Sequence, residues 1–213
     1  MVGKAVLIEC LENNRVGKIL IINREKVGLT HPKIKEILLS DFSMLNSIKN
    51  HFKDYNACFH CMGISAVGVS EKTYKKVIFD ITKNLVDILH SINKNIVFNF
   101  VSGEYTDTSE KGNIMWARVK GMTENYILKK GFKNSFMFRL GFMIPEKGIN
   151  SRTRIYNFLY YITKPIFPIL KISKNITTTT KLGQAMINTM FTSSKLVYLS
   201  NKEINIIAGE EYN

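Results

Sequence analysis

The chain has 213 residues, of which 45% are hydrophobic and 22% are charged, proportions typical of one ordinary globular domain. Thirty Lys and Arg against 17 Asp and Glu give a net charge of +13, which attracts nucleic acids, anionic lipids or phosphorylated ligands. The basic residues are scattered and no nucleic-acid-binding motif accompanies them, so we expect no nucleic-acid partner.

The hydrophobic pattern alternates between strands and helices along the whole chain. In chain order it predicts a helix over 2–12, strands over 18–22, 34–39 and 57–62, a long helix over 71–93, a strand over 96–101, a helix that carries Trp116, and a strand over 135–140. The segments 196–199 and 204–207 are expected to add edge structure. Such β-α alternation predicts an α/β fold with a doubly wound, mostly parallel sheet, and residues 1–213 form a single domain.

Two of the three cysteines, Cys58 and Cys61, have the C-x-x-C spacing within the predicted strand 57–62. Residues three apart on a strand point to opposite faces, so these thiols are not expected to share a metal or a disulfide. We expect buried cysteines and a buried, hydrogen-bonded His60 between them. Met1 leads into no apolar leader segment, which makes a cytoplasmic protein the expectation.

The strand over 96–101 is apolar throughout, as in a strand that is buried on both faces of a parallel sheet. It stops at Ser102-Gly103, and the helix that follows carries Trp116 and Lys120. In open parallel sheets, ligands bind just beyond the carboxyl ends of the strands. The sequence therefore places a hydroxyl and an amine where chemistry is expected.

Ser102 followed by W-x-x-x-K from Trp116 to Lys120 resembles the active site of the atypical short-chain dehydrogenases/reductases. These are NAD(P)-binding, epimerase/dehydratase-like proteins with one Rossmann domain. R-L-G-F over 139–142 and the segment 177–185 are further matches. The resemblance implies an oxidoreductase or epimerase-like enzyme, monomeric or homodimeric, with an unidentified small-molecule substrate. In it, Ser102 assists proton transfer and Lys120 holds the nicotinamide ribose.

Trp116 stands where that family has a catalytic tyrosine. An indole N–H donates a hydrogen bond but does not titrate near neutral pH, so Trp116 is not a credible proton donor for carbonyl reduction. Tyr105 and Ser102 are the alternative donors. The other interpretation is a non-catalytic protein on the same fold that senses a nucleotide or serves as a scaffold, with Trp116 as a packing residue.

The start of the chain departs from the family pattern of a strand and a glycine-rich turn. Residues 1–4 align with the end of that turn, so Gly3 is the one turn glycine matched, and we expect an N-terminally truncated Rossmann-like domain with impaired cofactor binding. In the family pattern, the strand that has no match here is the central strand of the sheet. Without it, either a gap opens in the sheet or the two neighbouring strands move together. A misassigned start and a natural truncation both stay open.

Arg24 follows the second strand of the family pattern, where an arginine accommodates the 2′-phosphate of NADP; NAD remains the alternative cofactor. An ordinary surface arginine is the other interpretation. The resemblance assigns further cofactor contacts to Gly3, Asp41, Phe42, Met62, Gly63 and Gly141.

Residues 151–192 are expected to form a helical cap on the substrate side. The segment 155–172 is apolar and aromatic but is interrupted by Lys164, Pro165 and Pro168, so it is too broken for a convincing membrane span. A partner interface and a helix lying on a membrane surface are the alternatives for this segment.

Overall fold

The computed structural model describes residues 1–149, 167–170, 173–192 and 195–210. Its helices are α1 (Val2–Glu12), a 3₁₀-helix (Phe42–Phe52), α2 (Glu71–Lys75), α3 (Ile81–Ile92), α4 (Met115–Lys130), α5 (Phe167–Leu170), α6 (Thr179–Asn188) and α7 (Asn201–Ala208). Its strands are β1 (Ile19–Asn23), β2 (Ile34–Leu38), β3 (Ala57–His60), β4 (Val97–Gly103), β5 (Asn134–Leu140), β6 (Met143–Ile144), β7 (Thr177–Thr178) and β8 (Tyr198–Leu199).

Every strand pair among the described residues is parallel, which confirms the predicted α/β fold. The main sheet has the order β3-β4-β5-β8, while β1-β2 and β6-β7 form two small separate sheets. Strand β4 lies inside the main sheet, where Phe98 pairs with Cys58 on one side and with Ser135 on the other.

Helices cover both faces of the main sheet, because β4 is apolar on both faces. Phe98 and Phe100 are fully buried on the face that packs against α3 and α4. Val97 belongs to the opposite cluster, which includes α1, α6 and α7. This three-layer packing confirms the predicted doubly wound arrangement.

The sheet is interrupted between β1 and β3. Within the described strands, the backbone of β1 pairs with β2 and not with β3, although Lys18 Nζ and Asp54 Oδ2, which precede these two strands, are 3.7 Å apart. All five residues of the apolar strand β1 are only half-buried. Side-chain packing rather than a backbone ladder therefore joins the β1-β2 pair to the rest of the protein.

The long helix predicted over 71–93 is confirmed, with a π-helical turn at Lys76–Asp80 between α2 and α3. Just after this turn, the Thr82 hydroxyl donates to Ile78 O at 2.5 Å and lies 2.8 Å from His60 Nε2. His60 is buried and stacks on Phe100. The prediction of a hydrogen-bonded core histidine is thus confirmed.

The two cysteines of the C-x-x-C spacing pack on opposite sides of the sheet, as predicted. Cys58 contacts the cluster under α3 and α4, and Cys61 contacts the cluster under α1 and α6. Both are free thiols. No group of three metal-ligating side chains occurs in the described part of the chain.

One of the two predictions for residues near the C-terminus is wrong. The segment 196–199 does end in an edge strand, β8, which pairs with Met137 and Phe138. The segment 204–207, expected to add edge structure, lies instead in helix α7. Ser200 and Glu203 form a capping box at its start, and such a box favours a helix over a strand.

Residues 151–166 and 171–172 of the proposed cap over 151–192, which include most of the apolar segment 155–172, lie outside the described residues. The described end of this region, helix α6, is not peripheral: Leu182, Ala185 and Met186 are fully buried against α1 and the sheet. Among the described residues, no helix combines the length and the apolar character needed to cross a membrane.

Candidate functional site

The residues singled out from the sequence follow the carboxyl ends of successive parallel strands. Arg24 follows β1, Asp41 and Phe42 follow β2, Met62 and Gly63 follow β3, Ser102 is the second-last residue of β4, and Gly141 follows β5. Because parallel strands end at the same edge of a sheet, Met62, Gly63, Ser102 and Gly141 lie at one edge of the main sheet, while Arg24, Asp41 and Phe42 follow the carboxyl ends of the separate β1-β2 sheet. We call these carboxyl ends the rim, which is where α/β proteins bind ligands.

Ser102 is a buried hydroxyl at the end of β4, with 3% of its surface exposed. Its Oγ lies 2.7 Å from Thr106 Oγ1, and either hydroxyl can donate in this hydrogen bond. The Gly103 N–H donates to the same Thr106 oxygen at 3.3 Å. Ser102 therefore belongs to a local pair of hydroxyls that can pass a proton between them.

Helix α4 brings Trp116 and Lys120 against the same strand end. A Cβ built on Gly103 would lie 3.1 Å from Trp116 Cζ3 and 3.9 Å from Lys120 Nζ. The absence of a side chain at Gly103 thus lets the indole and the amine approach the backbone next to Ser102. We call the end of β4 and the side chains next to it the β4 site: Ser102, Gly103, Thr106, Trp116 and Lys120.

The loop between β4 and α4 fixes the distance between the helix and the strand. A Cβ on Gly121 would lie 1.7 Å from the carbonyl oxygen of Asp107, so only glycine permits this approach. The Asp107 N–H donates to Ala117 O at 3.1 Å. Hydrogen bonds from Ser109 and Gly112 to the Asp107 carboxylate hold the loop and keep the pKa of Asp107 below its usual value.

The amine of Lys120 is desolvated and unpaired. Burial lowers the pKa of Lys120 from 10.5 to about 8, and the negative charge of Glu124 opposes this change. Among the described residues, neither a hydrogen bond nor an ion pair is made by Lys120 Nζ. The amine is consequently available to a ligand at the strand edge.

An ion pair beside Lys120 explains why Glu124 does not take its amine. Glu124 is fully buried, and its two carboxylate oxygens accept from Arg139 Nη2 at 2.5 Å and from Arg139 Nε at 3.2 Å. Arg139 is the partner of Ser102 in the β4-β5 register and lies 4.2 Å from the ring centroid of Tyr198. Sequence reasoning matched Arg139 only as part of a motif and missed Glu124, although Glu124 lies one helical turn after Lys120.

Tyr105, considered as a substitute proton donor, is exposed over 73% of its surface. Its exposure contrasts with Ser102, which is buried in the β4 site. Of the two hydroxyls considered from the sequence, Ser102 is the buried one, and it precedes Gly103, against which Trp116 and Lys120 pack.

Gly141 and Gly63 differ in how tightly they are surrounded. A Cβ on Gly141 would lie 2.5 Å from Glu104 Oε2, and the Gly141 N–H donates to Asn201 Oδ1 at 3.2 Å. A side chain at position 141 would therefore require the exposed Glu104 side chain to move. A Cβ on Gly63 would meet no atom within 4 Å, so Gly63 and the half-buried Met62 border open space at the rim.

The remaining positions of the rim lie apart from the β4 site. Asp41 caps the 3₁₀-helix by accepting from Ser43 N at 2.8 Å, and this hydrogen bond lowers the pKa of Asp41. Phe42 packs onto the core, and Arg24 is exposed. Gly3 lies in the first turn of α1, where a Cβ would make an ordinary 3.5 Å contact with Cys61.

Comparison with solved structures identifies proteins of the same architecture. WbmH from Bordetella bronchiseptica, in complex with NAD+, is 14% identical with a TM-score of 0.67, covering 93% of this chain and 71% of its own. A monomeric L-threonine 3-dehydrogenase from a metagenome is 13% identical with a TM-score of 0.69, covering 100% and 80%. UDP-N-acetylglucosamine 4-epimerase from Bacillus cereus is 15% identical with a TM-score of 0.61, covering 97% and 79%.

No protein-family model and no curated protein matches the sequence. At 13–15% identity, the structural similarity establishes the fold. The chain has the Rossmann-type fold of NAD-dependent epimerases and dehydrogenases, so the predicted resemblance is confirmed at this level.

Proposed function

We propose that the chain binds a nicotinamide dinucleotide along the carboxyl rim of its sheet, with the nicotinamide end at the β4 site. The observation that carries this proposal is the unpaired amine of Lys120 near Gly103, at the end of the strand that carries the buried Ser102. A ribose offers hydroxyl oxygens that such an amine can bind, and the structural neighbours include proteins crystallised with NAD+. Lys120 holds the nicotinamide ribose in this proposal.

The residues of the rim fit the two ends of a dinucleotide unequally. At the adenosine end, the exposed Arg24 offers a cation for a 2′-phosphate, so we propose NADP as the preferred cofactor over NAD. At the pyrophosphate end, Gly3 and the first N–H groups of α1 are the available donors. We expect a lower affinity than a turn with three glycines gives.

Bound at this rim, the dinucleotide supplies hydride-transfer chemistry. We propose an oxidoreductase or epimerase-like activity on an unidentified small molecule, in which the Ser102–Thr106 hydroxyl pair moves the proton. Trp116 replaces the usual tyrosine and serves as an apolar wall with one N–H donor. Asp41, Phe42, Met62, Gly63 and Gly141 are proposed to line the cofactor channel.

A second function is favoured by Trp116 itself. Its ring lies 3.1 Å from the Cβ position of Gly103, where it fills the place of a titrating phenol. A protein that binds the dinucleotide without turnover, as a sensor or scaffold, needs no proton donor there. The variant Trp116→Tyr separates the two functions, because it restores the phenol and is expected to raise turnover only if the site is catalytic.

Titration of NADPH and NADH, followed by nicotinamide fluorescence, tests the binding proposal. We expect saturable binding, tighter for NADPH, and at least about tenfold weaker binding for Lys120→Met, because a hydrogen bond from a charged donor contributes about 1.5–3 kcal/mol. Lys129→Met, an exposed position on the same helix, is the matched control. Equal affinities for the two variants would exclude the proposed role of Lys120.

A further inference from the structure

Lys120 differs from Lys147 and Lys130, two other partly buried lysines, in having no carboxylate of the described residues within ion-pair distance. Lys147 contacts both Glu9 and Glu12 at 2.5 Å, and Lys130 contacts Asp87 at 2.5 Å. The carboxylate nearest to Lys120 in sequence is Glu124, one turn away, and both of its oxygens accept from Arg139. The Lys120 amine therefore lies near Gly103, 3.9 Å from the Cβ position of that residue, and within the described part of the chain it makes no hydrogen bond to a counter-ion.

Such an environment raises the fraction of neutral amine relative to an exposed lysine. Burial lowers the pKa of Lys120 to about 8, whereas an exposed lysine titrates at 10.5. The charge of Glu124 acts on Lys120 and partly opposes the effect of burial, but the Glu124 carboxylate is itself paired with Arg139. A neutral amine is a nucleophile toward carbonyl carbon, and a desolvated lysine is the usual origin of a Schiff base in proteins.

We propose that the β4 site condenses reversibly with small aldehydes, with Lys120 Nζ as the nucleophile. This activity goes beyond the proposed dinucleotide binding and does not require it. The lone pair of Nζ forms a bond to the carbonyl carbon, and the C=O π electrons move to oxygen, which takes a proton from the Ser102–Thr106 pair or from water. The carbinolamine then loses water and a proton from nitrogen.

The products are an imine and one water molecule, and nothing is oxidised or reduced. Ser102 and Thr106 return to their starting protonation states when the proton released from nitrogen is passed back. The ligand class is a small aldehyde, since Ser102 is buried and Trp116 stands next to the amine.

The size of the expected selectivity follows from the two pKa values. At pH 7, a lysine of pKa about 8 has roughly 300 times more neutral amine than one that titrates at 10.5. Nucleophilicity falls as basicity falls, which removes part of this advantage. We expect Lys120 to react about tenfold faster than an exposed lysine.

Propionaldehyde with sodium cyanoborohydride tests the inference on the intact protein at pH 7. The added hydride donor reduces the imine to a stable propyl-lysine, which peptide mass spectrometry locates. Lys129, exposed on the same helix, is the internal reference. The α-amine of Met1 also titrates near pH 8 and is quantified on its own peptide.

We expect propylation at Lys120 to exceed that at Lys129 by about tenfold at pH 7, and this ratio to shrink above pH 9 as the exposed amine deprotonates. Lys120→Arg removes the fast phase, and Lys129→Arg leaves it unchanged. Equal rates at Lys120 and Lys129, or fast labelling confined to Met1, would overturn the inference.

Adding NADPH separates this inference from the proposed function. If the dinucleotide occupies the β4 site, saturating NADPH slows labelling of Lys120 without changing that of Lys129. Fast labelling of Lys120 that NADPH does not alter would leave the aldehyde inference standing and count against dinucleotide binding at this site.

Discussion

Replacing Arg139 by methionine changes both the stability of the fold and the chemistry of Lys120. Arg139 neutralises the fully buried Glu124 through two hydrogen bonds, and its side chain also stacks on Tyr198. Methionine keeps much of the apolar contact but leaves the Glu124 carboxylate without its partner. Breaking a buried ion pair on one side costs about 3–5 kcal/mol.

The loss expected for Arg139→Met lies at the lower end of that range, about 3 kcal/mol. The reason is that Lys120, one turn from Glu124 on α4, gains a carboxylate that Arg139 no longer occupies. This new pairing raises the pKa of Lys120. In Arg139→Met, the new pairing of Lys120 with Glu124 therefore offsets part of the stability loss and leaves the Lys120 amine charged and less reactive.

Urea unfolding followed by far-UV circular dichroism measures the stability change, and the propionaldehyde reaction measures the state of Lys120. In a chain of this size, 3 kcal/mol corresponds to a fall in Tm of about 6–12 °C. Glu124→Gln combined with Arg139→Met removes both charges and is expected to recover part of the loss. A cost below about 1 kcal/mol for Arg139→Met, with unchanged labelling of Lys120, would refute this view of the ion pair.

Two further predictions concern the core around the site. Burial lowers the pKa of His60 from 6.5 to about 4. As the pH falls, His60 is therefore protonated in the unfolded chain before it is protonated in the folded protein. The free energy of unfolding is expected to decrease between pH 6.5 and 4, by about 2 kcal/mol from pH 7 to 5. Urea unfolding at pH 7 and pH 5 measures this loss. If His60→Gln loses as much stability between the two pH values as the unchanged protein, His60 is excluded as the source. Gly121→Ala forces a Cβ against Asp107 O and is expected to lower the free energy of unfolding by at least about 2 kcal/mol. The control Gly17→Ala adds a Cβ in open space and is expected to change it by less than about 0.5 kcal/mol. Equal Tm values for the two variants would contradict the close packing at Gly121.

The alternation of strands and helices was predictable because each buried element carries its own periodic pattern. The strand at β4 and the spacing from Trp116 to Lys120 placed the hydroxyl and the amine near one strand end, and the structure brings both side chains to Gly103. The opposite orientations of Cys58 and Cys61 followed from the two-residue period of a strand. These are local rules that need no knowledge of distant contacts.

The ion pair of Glu124 with Arg139 was not predictable in the same way. The two residues are 15 apart and lie on different elements, and their contact depends on how α4 packs across β4 and β5. The segment 204–207 was misjudged because its β-branched residues favour a strand locally, while the capping box at Ser200 starts a helix. The π-helical turn before Thr82 likewise has no clear sequence pattern.

Fluorescence of Trp116 during a titration with NADPH is the most direct test of a dinucleotide at the β4 site. Trp116 is the single tryptophan of the chain and lies beside Gly103 and Lys120, so a nicotinamide bound there must quench its emission. We predict saturable quenching that Lys120→Met weakens and Lys129→Met does not. An unchanged Trp116 emission at saturating NADPH, in protein that is folded by circular dichroism, would contradict the account.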